Sequence, residues 1–170
     1  MVQNNLGTAL QEKAARANRA EITMLLTQAI AAYRAALEVY TRDTMPQAWA
    51  ITQNNLGNAL LNQGQLVIDG DGVVYWTQAV KAYYAALEVR TQETLPKQWA
   101  ETQYNLGKAL LAKGELIEAA ACFENVLLID QDDQHVKGLN ESPFFRIRSC
   151  RFLFYKPKAN LARCDIPVCR

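Results

Sequence analysis

The chain has 170 residues, half of them hydrophobic, with 18 Lys/Arg against 17 Asp/Glu and a net charge of +1. That balance suits a soluble, folded protein of one domain. No apolar stretch approaches the ~18 residues that cross a bilayer, and Met1–Asn5 carries neither the basic nor the apolar region of an export signal, so the expected compartment is the cytoplasm. The near-zero charge hides an asymmetry. Residues 1–140 carry 11 Lys/Arg against 15 Asp/Glu, and residues 141–170 carry 7 against 2.

In chain order, the first feature is Asn5-Leu6-Gly7, which returns as Asn55-Leu56-Gly57 and Asn105-Leu106-Gly107, a period of 50 residues. Residues 41–60 and 91–110 are identical at 12 of 20 positions, and residues 28–40 and 78–90 at 9 of 13. A fixed period in this range marks a solenoid, in which each unit buries its apolar face against its neighbours. The second copy is the best defined. Proline suits the first helical position, where its missing N–H costs nothing. After Pro46, residues Trp49, Thr52, Asn55/Leu56 and Ala59/Leu60 recur at three- and four-residue intervals. The pattern predicts a first helix, A, from about Gln47 to Asn62, stopped by Gly64 and the Asp69–Gly72 run. A second helix, B, is predicted to restart near Val74, with Ala79, Val80, Tyr83, Ala86, Leu87 and Arg90 in helical phase. Thr91–Thr94 then leads to Pro96 and the next A helix.

The recurring small residues, Gly57 and Ala59 on A with Ala79, Ala82, Ala85 and Ala86 on B, imply closely approaching helices. A helical glycine costs about 1 kcal/mol relative to alanine, and its return at Gly7 and Gly107 implies that close contact offsets the loss. Residues 65–76 also read as two β-branched arms around a Gly-rich turn. The equal-length stretch in copy one contains Ala14-Ala15-Arg16-Ala17, which favours helix, so a long loop or a helix extension is expected over residues 65–76 in place of a hairpin. Copy one begins only four residues before Asn5. The expectation there is an exposed edge that frays or self-associates, in a chain that is a piece of a longer array. From Glu141 the pattern breaks. Phe144–Tyr155 is aromatic and basic, with prolines at 143, 157 and 167, and forms an irregular tail.

Few patterns carry chemistry. Asp69-Gly70-Asp71-Gly72 lacks the twelfth-position Glu of a calcium loop, since that place is Val80. Cys150, Cys164 and Cys169 lack the close pairing and fourth ligand of a zinc site, and Cys122 reads as a small buried hydrophobe. His135 is the only histidine, and no phosphate loop or H-E-x-x-H motif accompanies it. The expectation is a non-catalytic protein without metal or cofactor.

The A–turn–B pattern resembles the tetratricopeptide repeat. The third copy carries the resemblance most fully, with Leu106, Gly107, Leu110, Ala119, Phe123 and Val126, and Gly114-Glu115 at the turn. Gln103 stands where the family often has Trp, Val126 where a small residue is usual, and Gln131 near the usual Pro. From Gly to Ala the spacing is 22 residues in copies one and two and 12 in copy three. The longer units look like the extended units of bacterial multi-repeat proteins, which often accompany a CHAT protease or another signalling effector. The resemblance covers residues 1–133. It implies an all-α, right-handed α-solenoid of about two and a half helix pairs, with units at about 1–45, 46–95 and 96–133. Residues 1–140 form the array and 141–170 the tail.

In such arrays the inner face of the A helices lines a groove for an extended peptide. The resemblance places there Asn4, Asn5 and Thr8, then Asn54, Asn55 and Asn58, then Tyr104, Asn105 and Lys108. An asparagine amide can both donate to and accept from a peptide backbone. The competing role is bonding between neighbouring A helices. Relatives that grip a C-terminal carboxylate use Lys and Arg at such places, and only Lys108 qualifies here, which argues against a carboxylate grip. The expected function is a scaffold that binds a peptide or protein segment. End-to-end self-association is the alternative, and contact of the basic tail with nucleic acid or a membrane surface is a third reading with weaker support.

Overall fold

The computed structural model describes residues 2–67 and 72–129, with side chains as far as Leu127. Six helices follow one another: α1 (Val2–Ala14), α2 (Arg19–Val39), α3 (Pro46–Leu66), α4 (Gly72–Leu87), α5 (Pro96–Lys113) and α6 (Leu116–Ile129). The described residues contain no strand. Each helix packs on the next in the chain, while α1 meets α3 and α3 meets α5 at only a few residues. This is an all-α solenoid of helix pairs. Among the described residues there are two full pairs and a first pair whose A helix, α1, is short at 13 residues against 21 for α3.

The helix starts follow the sequence. Pro46 and Pro96 open α3 and α5. Neither preceding residue, Met45 or Leu95, caps its helix with a side chain. The turn before each is instead held by a threonine pair. Thr41 Oγ1 lies 2.7 Å from Thr44 Oγ1 and accepts from the Thr44 N–H at 3.2 Å. Thr91 and Thr94 repeat the arrangement. The α5 end is set by Gly114 at φ +92°, a left-handed conformation that suits glycine, with the Glu115 N–H reaching back to the Leu110 carbonyl.

The segments between paired helices depart from expectation. Helix α3 does not stop at Gly64 but continues to Leu66. The glycine serves proximity instead. A Cβ on Gly64 would lie within 3.0 Å of the Trp76 ring and the Gly72 carbonyl, and one on Gly72 would lie 2.6 Å from the Gly64 carbonyl. The two helix ends therefore touch backbone to backbone. Gln65, Leu66 and Val73–Trp76 are helical, which rules out the hairpin reading. In copy one the expected helix over Ala14–Ala17 is a turn after Ala14, because Asn18 Oδ1 accepts from the Glu21 N–H at 3.1 Å and starts α2 there. Part of the extra length of the first two units lies in longer helices, since α2 and α3 have 21 residues each where α5 has 18 and α6 has 14. The candidate calcium turn's Asp69 and Asp71, His135, Cys150, Cys164, Cys169 and the whole 141–170 tail lie outside the described residues.

One apolar core runs through the pairs, from Ala29, Ile30 and Tyr33 through Leu56, Leu60, Leu61 and Tyr83 to Leu106, Leu110 and Cys122. Its recurrent contact is a helical glycine under an aromatic ring. Added Cβ atoms on Gly7, Gly57 and Gly107 would fall 2.6 to 2.7 Å from Tyr33, Tyr83 and Phe123. No real Cβ tolerates such a distance, so the rings lie directly on glycine backbone. Gly57→Ala is expected to cost about 1 to 3 kcal/mol, because the ring it strikes is fully buried and cannot swing away. The urea midpoint measures the loss.

Burial also sets an alkaline limit. Desolvation pushes the Cys122 thiol from 9.0 up to about 11 and raises the Tyr33 and Tyr83 phenols. These acids ionise first in the unfolded chain. Their contribution is therefore complete below pH 9 and falls away as pH rises toward 11. The wild-type urea midpoint is expected to drop through that window, and the Cys122→Ala chain to drop less steeply between pH 9 and 11.

Candidate binding groove along the first helices

The three A helices, α1, α3 and α5, are joined by one polar contact per step. Thr52 Oγ1 lies 3.1 Å from Asn4 Oδ1, and Thr102 Oγ1 lies 3.2 Å from Asn54 Oδ1. Each threonine also back-bonds its own helix, to the carbonyls of Ala48 and Gln98 at 2.8 Å, so one hydroxyl proton is shared between two acceptors. Both threonines are fully buried and Asn54 is 1% exposed. At the second step Arg90, itself buried, donates to Thr102 Oγ1 at 2.9 Å and sits 3.7 Å from Glu101. Burial lowers the Arg90 pKa and Glu101 opposes the shift. The first step has Tyr40 at the corresponding place.

The residue after each glycine has a different task. Thr8 Oγ1 lies 3.3 Å from the Tyr33 hydroxyl, which also donates to Gln11 Oε1. Asn58 Oδ1 accepts from the Tyr83 hydroxyl at 2.7 Å. In the third unit the ring is Phe123, which has no hydroxyl, and the following residue is Lys108. Its ammonium stands 5.5 Å over the Tyr104 ring, and that ring packs on Phe123 at a centroid distance of 5.8 Å, tilted by 59°. A cation over an aromatic face is attracted by the ring quadrupole.

The nine groove candidates from the sequence therefore fall into four sets. Asn4 and Asn54 bond between A helices, and the burial of Asn54 removes it from any groove surface. Thr8 and Asn58 bond the tyrosines that lie on the glycines. Asn5, Asn55 and Asn105 make no side-chain hydrogen bond among the described residues, and Tyr104 and Lys108 form an exposed aromatic–cation pair. The sequence reading missed Thr52, Thr102 and Arg90. The signal for the threonines was present, since Thr52 and Thr102 recur in phase with Asn4 and Asn54. So was that for the tyrosine bonds, since the residue after the glycine changes from Thr or Asn to Lys where Tyr gives way to Phe.

Among the described residues no group of His, Cys, Asp and Glu could hold a metal, and no helix is long and apolar enough to cross a membrane. The stacked pairs define an α-helical repeat protein. Residues 100–133, which include most of α5 and all of α6, match the tetratricopeptide repeat family. Repeats of this family are protein-interaction modules. No curated protein matches the chain.

The two kinds of asparagine are expected to respond differently to truncation. Asn54→Ala removes a buried acceptor and should cost about 1 to 3 kcal/mol. Asn55→Ala should stay within about 0.5 kcal/mol of wild type. Urea denaturation followed by circular dichroism compares the two.

Proposed function

We propose that the chain is a non-catalytic scaffold that holds an extended peptide segment along α1, α3 and α5. The observation that carries this reading is the division of labour between adjacent asparagines. Asn4 and Asn54 are used within the protein, whereas Asn5, Asn55 and Asn105, one residue further along each helix, make no side-chain hydrogen bond among the described residues. An amide offers a donor and an acceptor to a peptide backbone, whose own groups must be paired when bound. Three such amides, one per unit, form a ladder that grips backbone without reading side chains. The Tyr104–Lys108 pair adds an aromatic surface and one positive charge at the third unit. The tetratricopeptide match of residues 100–133 supports the same reading. The extended bacterial type of unit and a place beside a signalling effector belong to this proposal, as does a cytoplasmic setting. A short groove with few anchors gives micromolar affinity, about −8 kcal/mol.

A displayed library of random peptides, selected on the full chain, tests the proposal. Selected peptides should bind with micromolar constants by fluorescence anisotropy. The double change Asn55→Ala/Asn105→Ala should weaken them about tenfold or more, at about 1 kcal/mol per lost amide, with helix content unchanged. Peptides that bind the double variant as well as wild type would refute the groove.

A further inference from the structure

The two sides of the asparagine ladder carry different chemistry. On α3, Ile51 stands one turn before Asn55, which puts both on one face, and Ile51 is 43% exposed. The equivalent place on α5 is Glu101, whose carboxylate is engaged 3.7 Å from the buried Arg90. On the other side of the ladder, Lys108 stands one turn beyond Asn105 and is exposed. Its ammonium lies over the Tyr104 ring and forms no ion pair among the described residues. The equivalent place on α3 is Asn58, which accepts from Tyr83. Units two and three therefore offer an apolar contact on one side of the ladder and a positive charge on the other.

We infer, on the groove reading above, that the bound segment carries an apolar and an acidic side chain three residues apart. Geometry sets the spacing. Packed helices lie about 8 to 10 Å apart and an extended chain advances about 3.3 Å per residue, so the step from α3 to α5 spans about three residues. Backbone groups directed at the amides of Asn55 and Asn105 face the groove floor, which turns successive side chains alternately to the two sides of the ladder. An odd spacing thus sends the two side chains to opposite sides, where Ile51 and Lys108 stand. Charge decides which goes where. The acidic side chain meets Lys108, whereas the Ile51 side holds the like charge of Glu101. The apolar side chain covers Ile51 and removes its exposed surface from water.

Two synthetic Gly/Ser peptides test the inference, one with leucine three positions before glutamate and one with the order reversed. Each carries fluorescein and is titrated with the full chain by anisotropy. One of the two should bind, and moving the leucine one position nearer or farther should weaken it about fivefold or more. Lys108→Glu should weaken it to a similar extent and should favour instead the peptide whose glutamate is replaced by lysine. Ile51→Asn should weaken the leucine peptide and leave a peptide with serine at that place unaffected. Both side chains are exposed, and circular dichroism checks that the variants keep their helices. If Lys108→Glu does not, Lys108→Gln decides, through loss of the preference for glutamate over glutamine in the peptide. Binding that ignores the spacing overturns the inference. So does a charge preference that survives the Lys108 change, or a pair of which neither order binds. The groove proposal is read out separately, on library-selected peptides. If those respond to Asn55→Ala/Asn105→Ala but not to Ile51 or Lys108, the groove stands and the side-chain pattern falls.

Discussion

The contact on which the rest of the structure depends is an aromatic ring laid on a helical glycine. Gly7 under Tyr33, Gly57 under Tyr83 and Gly107 under Phe123 bring the two helices of each pair so close that no Cβ fits between them. A helix interior is an unfavourable place for glycine, and dense packing of a large ring against backbone supplies the dispersion contacts that offset the loss. The alanines at 29, 79 and 119 are fully buried and belong to the same close approach. With the pairs fixed at this distance, each B helix presents its other side to the next A helix, and the core becomes continuous from α2 to α6.

Close pairs do not by themselves fix how one A helix sits beside the next. That rotation is set by the Thr52–Asn4 and Thr102–Asn54 bonds. Buried polar groups of this kind cost free energy unless they meet, so they specify register more than they add stability. Adjacent residues of a helix point about 100° apart. Turning Asn4 and Asn54 toward the neighbouring helix therefore turns Asn5, Asn55 and Asn105 to a different side. The interhelix ladder and the ladder of Asn5, Asn55 and Asn105 are two consequences of one geometric choice.

The third unit differs from the others in a concerted way. Tyr104 replaces the ladder asparagine, Phe123 replaces the hydroxyl-bearing ring, and Lys108 replaces the residue that would accept from it. The polar bonds of the earlier units give way to an aromatic–cation cluster open to solvent.

Much was legible in the sequence by itself. The period of 50, Pro46 and Pro96, and the spacing of Leu56, Gly57 and Leu60 determined the helical class, the pairing and the need for close contact, because periodicity and proline chemistry are local properties of the chain. Tertiary structure decided what local rules cannot see. Gly64 reads as a helix stop, yet it lies inside α3 because Gly72 and Trp76 approach its backbone. Asn54 and Asn55 are identical in sequence terms, but one is buried against Thr102 and the other is not. Composition could not separate them, because the difference between a structural amide and an available one lies in the direction each takes from the helix, and the neighbouring helix fixes that direction.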